Sequence, residues 1–386
     1  MQQQLLTFDA CGVSPTSPTP QLAAPVVAVA AGWGVCAAAT SDGELAVWGV
    51  AAAHEFNARA AIPAESDSGG DEEEDDATAA TAVVVVRTLA CSRDGARVFA
   101  TTSSGALYDW RARAGGIQRV ACDIFIAQVA VGEAHVLLLA GSGGAVLAFG
   151  ANDHGQLGFG AAAVAAATTT ASHDRPTIVR GLPPCVAIAA GWSSSAAVTA
   201  VGGGAAGGEL YTWGWGRYSQ LGHDASADEP SPRRVDALRG VPIARVACGA
   251  WHSAAVSVDG APFAWGWKRH GQVVAAAAAS SSAATAMQSV PLLVPLPESA
   301  TVDAVVCGAR HTIWVDTAQS KAWACGWMGI GGDEGDEDGG GGGGGEECGG
   351  GGVRGPIPLQ PSALRSLTCA SGSSAWHAVL LVAEAE

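Results

Sequence analysis

Residues 246–273 read VACGAWHSAAVSVDGAPFAWGWKRHGQV. A small apolar run closes on Gly249, and His252 follows three positions on. A second apolar run closes on Asp259-Gly260, and a third on Trp265-Gly266. Asp-Gly between two apolar runs is a hairpin signal, because a tight connection needs positive φ. A glycine directly after the aromatic lets the chain leave a strand where a Cβ would clash. The order is not unique to this stretch: ELYTWGWGRYSQLGHD at 209–224 is matched by APFAWGWKRHGQV 52 positions later. Self-similarity at this spacing marks a repeat architecture.

Two signals align the whole chain. The first is an apolar run ending in Gly, at VAVAAGWGVCAAAT (27–40), VAVGEAHVLLLA (129–140), AIAAGWSSSAAVT (187–199), RVACGAWHSAAVSV (245–258) and AVVCGARHTIWVD (304–316). Its anchor glycines are Gly32, Gly132, Gly191, Gly249 and Gly308, the last three steps being 59, 58 and 59 residues. The second is an aromatic–Gly strand, at GELAVWG (43–49), GAVLAFG (144–150), GELYTWG (208–214), APFAWG (261–266) and KAWACG (321–326). The long gap between Gly32 and Gly132 hides a degraded unit, RTLACSRDGARVFATTSSGALYDW (87–110), with Ser92 at the anchor and Trp110 in the aromatic slot. A half-unit, LTCASGSSAWHAVLLV, occupies 367–382. The aromatic slots are Trp48, Trp110, Phe149, Trp213, Trp265 and Trp323. LLTFDACGV (5–13) resembles a further second-signal strand with Phe8 in that slot. Strands should alternate with period two, so that Ala254, Val256 and Val258 share one face.

A chain of 386 residues exceeds the usual single-core size, which fits either several domains or one repeat array. Hydrophobic residues make 48% and charged residues 15%. The net charge of −16 is concentrated in two inserts. Glu65, Asp67 and 71–76 supply eight acids, and Asp333, Glu334, 336–338, Glu346 and Glu347 supply seven, so the body is close to neutral. No basic stripe suited to a phosphate backbone is present, and direct DNA binding is not expected. Ten cysteines are scattered without a CxxC pair. Cys91, Cys248 and Cys307 fall at the position before the anchor, and such placement suits buried thiols in a reducing compartment. No basic-then-apolar leader is visible, and the first 58 residues hold no Lys or Arg. Residues 21–41 lack charge and are long enough to span a bilayer, but their Ala/Gly composition and repeat register read better as strands. Mobile inserts are expected at about 63–81, 161–171, 274–286 and 331–352.

The pattern Gly-x-x-His followed by Trp-Gly-x-x-x-x-Gly-Gln-Leu-Gly resembles the regulator of chromosome condensation repeat family. The likeness is carried by VAVGEAHVLLLA with GAVLAFGANDHGQLGFG (129–160), by ELYTWGWGRYSQLGHD and by residues 246–273. It implies an all-β fold, a single seven-bladed β-propeller over 1–386, closed by an N-terminal strand in the last blade. The signature dipeptides and periods of the WD and kelch propellers are absent. A basic tail of the founding member's kind is missing too.

No GxxxxGK loop, HExxH or GxSxG elbow is present, and the glycine run 339–345 has no Lys, Ser or Thr following it on a helix. No catalytic residue, metal site or cofactor is therefore expected. His135, His252 and His311 recur at the anchor plus three, which predicts a repeated hydrogen bond to a neighbouring backbone rather than chemistry. Partner contacts are expected from the exit loops on one rim: Trp215, Arg217 and Tyr218, then Trp267, Lys268, Arg269 and His270, with Arg310 beside the anchor Gly308. The function expected is a monomeric, intracellular interaction scaffold in cytoplasm or nucleus, with no membrane attachment. The resemblance names two partner classes, a chromatin-modifying enzyme and a small GTPase. The alternative reading is a guanine-nucleotide exchange factor for a Ran-type GTPase, the founding member's activity. The remote alternative is ultraviolet-B photoreception, which a plant protein of this fold performs with tryptophans at anchor plus one followed by Arg-His. Here anchor plus one reads Trp33, Arg93, Glu133, Trp192, Ala250, Ala309 and Ala375, and none is followed by Arg-His.

Overall fold

The structure is a computed structural model that describes residues 4–9, 12–13, 22, 24–31, 35–51, 54–63, 84–92, 96–112, 114–167, 173–200, 207–274, 286–319, 321–326, 354–358 and 379–383. Two short strands come first, β1 (Gln4–Asp9) and β2 (Gly12–Val13). Blade 1 is β3 (Val26–Ala31), β4 (Val35–Thr40), β5 (Glu44–Ala51) and β6 (His54–Ala61). Blade 2 is β7 (Val86–Cys91), β8 (Arg97–Thr102), β9 (Leu107–Arg111) and β10 (Gly116–Arg119). Blade 3 is β11 (Ile126–Val131), β12 (His135–Ala140), β13 (Val146–Gly150) and β14 (His173–Ile178), with the helix α1 (Ala161–Ala167) before its last strand. Blade 4 is β15 (Cys185–Ala190), β16 (Ser194–Thr199), β17 (Leu210–Gly214) and β18 (Glu229–Arg234). Blade 5 is β19 (Ile243–Cys248), β20 (His252–Ser257), β21 (Pro262–Trp267) and β22 (Met287–Leu293). Blade 6 is β23 (Ala304–Cys307), β24 (His311–Asp316), β25 (Lys321–Gly326) and β26 (Arg354–Pro358). β27 (Val379–Ala383) follows.

All pairing is antiparallel between neighbours, and the first strands of successive blades lie against one another. The architecture is therefore an all-β propeller, but of six four-stranded blades, which corrects the expectation of seven. The remaining sheet has three strands in the order β2-β1-β27, Leu6 standing opposite Leu381. It lacks the fourth strand of a blade because the 367–382 half-unit contributes β27 alone among the described residues. The degraded unit 87–110 does form a blade. Arg97 fills the position of the recurrent histidine there and pairs with the buried Asp109 of its own blade at 2.6 Å. The stretch considered as a membrane span is β3 and β4, and among the described residues no helix is long and apolar enough to cross a membrane. Of the inserts, 64–83, 168–172, 275–285 and 327–353 lie outside the described residues, while 161–167 is α1.

The core lies between blades. Five apolar clusters each join two consecutive blades, from Val47 and Trp110 at blades 1–2 to Trp314 and Trp323 at blades 5–6. β12, β16, β20 and β24 are accordingly buried at every position, on both faces, so period-two alternation is lost. Val258 lies past the end of β20 and is exposed. This two-sided packing favours Ala and Val over larger side chains. Outer strands carry Pro176, Pro230, Pro232, Pro291, Pro356 and Pro358, which withdraw ladder donors from the exposed edge and discourage edge pairing. The Asp-Gly turns form as read, with the Gly43 and Gly260 amides donating to Thr40 and Ser257 carbonyls at 3.0 Å.

Close approach explains the anchor glycines. A Cβ on Gly132 would sit 2.7 Å from the Gly191 carbonyl oxygen, one on Gly191 2.7 Å from that of Gly249, and one on Gly249 2.4 Å from that of Gly308. The anchors of blades 3, 4 and 5 thus each seat on the next blade's anchor carbonyl. Gly32 lies outside the described residues. Gly249→Ala should cost about 3 kcal/mol or more in chemical denaturation, because backbone cannot retreat like a side-chain tip. Gly116→Ala, with no atom within 4 Å of the added carbon, should leave the midpoint unchanged. Equal midpoints for the two variants would refute the packing argument.

Candidate functional site

The antiparallel order places two loops of each blade at the same end: the anchor loop between first and second strands, and the exit loop between third and fourth. One interaction fixes these exit loops. In blade 4, the Trp213 indole N–H donates to the Gln156 carbonyl of blade 3 at 2.9 Å, and the Ser195 hydroxyl donates to the same oxygen at 2.7 Å. In blade 5, Trp265 and Ser253 donate to the Gln220 carbonyl of blade 4, both at 2.8 Å. In blade 6, the Thr312 hydroxyl donates to Gln272 at 2.9 Å, with the Cys325 thiol at 3.4 Å. Cys325, not Trp323, therefore stands in the aromatic slot of blade 6, directly before Gly326. Each of these glutamines also accepts, on its own Oε1, the amide two residues earlier: His154, Tyr218 and His270, all at 2.9 Å.

The histidines join this network across the junction, meeting a hydroxyl and the backbone of the next blade. His135 Nε2 lies 3.0 Å from Ser195 Oγ, and His252 Nε2 lies 2.9 Å from Thr312 Oγ1. Each hydroxyl spends its proton on a glutamine carbonyl, so it accepts from the histidine, which puts a proton on Nε2, and burial keeps the ring neutral. Burial pushes His135 down to about 4. His252 falls to about 3, by burial first and then by the nearby His311. Among the described residues no group of histidines, cysteines and carboxylates is arranged to hold a metal. The seven described cysteines are free, six of them buried, and burial pushes the Cys248 thiol up to about 12.

On the exit-loop face the structure brings most of the expected rim residues together. His154 packs on Trp215 with centroids 5.3 Å apart, and Trp215 meets Tyr218 edge-on at 5.2 Å. Tyr218 reaches Trp267 of the next blade at 6.0 Å, and Trp267 contacts His270 at 4.9 Å. Trp251 bridges the group. It meets Trp267 edge-on at 5.1 Å, Tyr218 at 6.3 Å and Trp192 at 5.4 Å. The Arg310 guanidinium lies 6.0 Å from the Trp251 ring centroid. These rings are half-buried, so one continuous aromatic ridge crosses blades 3 to 5 and ends under a blade 6 arginine. Arg217 and Arg269 are exposed and Lys268 half-exposed beside it. Asp228 ties two exit loops together, accepting from Gly216 N–H at 2.9 Å and facing His154 Nδ1 at 2.9 Å. Reading the rim from exit loops alone misses Trp192 and Trp251, and His154, in the exit loop of blade 3, was not among the residues expected there. Their signal was in the sequence, since two of them lie within two residues of an anchor glycine.

The profile described as "Regulator of chromosome condensation (RCC1) repeat" matches residues 143–198 and 207–256, each segment running from the second half of one blade into the first half of the next. The chain is 32% identical to human RCC1 domain-containing protein 1 over 164 residues, 34% of this chain and 43% of that one. It is 30% identical to the Arabidopsis thaliana ultraviolet-B receptor UVR8 over 210 residues, 54% of this chain and 42% of the receptor. The human E3 ubiquitin-protein ligase HERC2 is 34% identical over 188 residues, but these are 4% of its length. The chain thus spans less than half the length of the curated relatives it matches. Among solved structures, human WBSCR16 superposes with a TM-score of 0.68 at 16% identity, covering 100% of both chains. Yeast RCC1 (Prp20), in a structure where it is bound by Kap60, superposes with a TM-score of 0.67 at 18% identity, covering 100% of this chain and 89% of Prp20. At such identity these two show the fold alone.

The buried histidines make stability depend on pH in a defined direction. Their folded values lie below the ordinary 6.5, so the stability they supply is complete above pH 6.5 and drains as pH falls through about 4 and about 3. His135→Asn with His252→Asn should melt below the wild type at pH 7. That deficit should shrink steadily toward pH 4.5, and a deficit constant with pH would contradict the neutral-ring assignment.

Proposed function

Because the chain is a member of the RCC1-repeat family, we propose that it is a non-enzymatic, intracellular protein-binding scaffold whose working surface is the exit-loop face of blades 3 to 6, with a link to chromatin regulation. The observation that carries this reading is the aromatic ridge with cations beside it. Half-buried Trp and Tyr with flanking Arg are the residue types that dominate protein interface energetics. The inter-blade hydrogen bonds hold the ridge in place before any partner arrives, which lowers the ordering cost of association. Free, buried thiols suit a reducing compartment.

The second reading is nucleotide exchange on a Ran-type GTPase. Its support is the family itself and the fold shared with Prp20p of Saccharomyces cerevisiae, a protein whose solved structure is described together with binding to Gsp1p and histones. Ultraviolet-B reception, named in the Arabidopsis relative, remains the remote third reading.

Three measurements separate these. Affinity purification with mass spectrometry should return partners with the wild-type chain that are lost with Arg217→Glu/Arg269→Glu, a variant expected to melt normally. Partners retained in full by that variant would move the working surface elsewhere. A nucleotide-release assay on a Ran-type GTPase should show no acceleration; acceleration would put the exchange reading first. Elution volume should stay unchanged after ultraviolet-B illumination.

A further inference from the structure

The charged groups around the ridge are not evenly committed. Two carboxylates of the face are engaged, Asp228 as above and Asp224, which accepts from the Ser289 hydroxyl at 2.7 Å, while Glu133 stands half-buried beside Trp192, whose carbonyl accepts from the Glu133 amide at 3.0 Å. Asp153 is exposed, at the blade 3 end beside His154. Away from the ridge, Arg59, Arg97, Arg233 and Arg234 all pair with acids. Arg217 and Lys268, by contrast, have no side-chain ion pair or hydrogen bond among the described residues. They stand in adjacent exit loops, immediately next in sequence to Tyr218 and Trp267. Arg310, over Trp251, adds a cation at the inner end.

We propose that this face binds an acidic linear segment of a partner protein, carboxylates on Arg217, Lys268, Arg269 and Arg310, and apolar side chains against the Trp215, Tyr218, Trp267 and Trp251 rings. The inference rests on the protein-binding reading and adds the chemistry of the partner. Charge complementarity argues for acid, and the ridge argues for an extended segment. The shortest ring-to-ring route from His154 to Trp192, through Trp215, Tyr218 and Trp251 in steps of 5.2–6.3 Å, adds up to at most about 22 Å, the length of roughly six or seven extended residues. Aromatic walls add apolar contact that a bare phosphate or a globular acidic patch would not use.

The test uses the full chain and three fluorescein-labelled probes. These are a Trp-free peptide of about 12 residues of Asp, Glu and Leu, its Lys/Arg/Leu counterpart, and a single-stranded DNA of similar length, long enough to span the ridge. Fluorescence anisotropy and quenching of the intrinsic Trp emission are read together. The acidic peptide should bind and quench. Arg217→Glu/Arg269→Glu should weaken it about tenfold or more, with salt doing likewise. The same titration is run on a chain with 331–352, which carries seven acids of its own, replaced by a short Gly-Ser linker. Binding of the acidic peptide in either chain supports the proposal. Preference for the basic peptide, equal binding of DNA, indifference to the double variant, or no binding in both chains overturns it. If the peptide fails while the double variant still loses its captured partners, the binding face stands and only the acidic class falls.

Discussion

Three consecutive junctions, from blade 3 to blade 6, each depend on one backbone carbonyl. Gln156, Gln220 and Gln272 each present an oxygen that takes two donors from the following blade: a hydroxyl from the second strand and an indole or thiol from the third. The acceptor is buried, so leaving it unmet would cost more than a surface bond is worth. Both lone pairs are used, and both donors come from strands that are themselves packed between blades. Blade-to-blade register is therefore set by hydrogen-bond geometry, where apolar packing of Ala on Ala alone would tolerate sliding.

Much of this was legible in the sequence, and the illegible parts have physical reasons. Trp-Gly, Asp-Gly and the anchor glycines are backbone requirements, and they place strands and turns; the second unit, with Ser92 and Trp110-Arg111 at those slots, was found from its spacing and apolar runs. Blade count was less legible. A repeat motif announces a first strand, but a blade needs four, and the 367–382 motif yields only β27 among the described residues. Trp323 was assigned to the aromatic slot because it is aromatic, whereas register puts Cys325 there, opposite Thr312. A thiol can serve because the slot demands a donor toward Gln272, and bulk is secondary. The recurrent glutamine was visible in GQLG, SQLG and HGQV without its role being apparent. The role belongs to its main-chain oxygen, about which side-chain identity says little.

The histidines show the same division between what recurs and why. Among the described residues no group of histidines, cysteines and carboxylates is arranged to hold a metal, and His135 and His252 sit at different blade junctions. Each sits across a blade junction on a hydroxyl already spoken for, which is why burial drives both well below neutral. Blade 4 has Ser194 at this position, and the fold accommodates the loss because the glutamine carbonyl, not the imidazole, is the shared element.

The indoles divide in two along a single turn. Trp213 and Trp265 are fully buried and donate across the junction; Trp215 and Trp267, two residues later, are half-buried on the face. In an uninterrupted strand, residues two apart would share one side. Between them Gly214 and Gly266 take φ of 95° and 103°, turning the chain so that the second indole leaves the blade while the first stays in it. The glycine is thus the point at which architecture hands over to surface. Everything before it is fixed by the neighbouring blade, and the short segment after it, up to the next glutamine, carries Arg217, Tyr218, Lys268, Arg269 and His270 on the face. Both ends of that segment are held, by the glycine turn and by the glutamine whose carbonyl closes the junction.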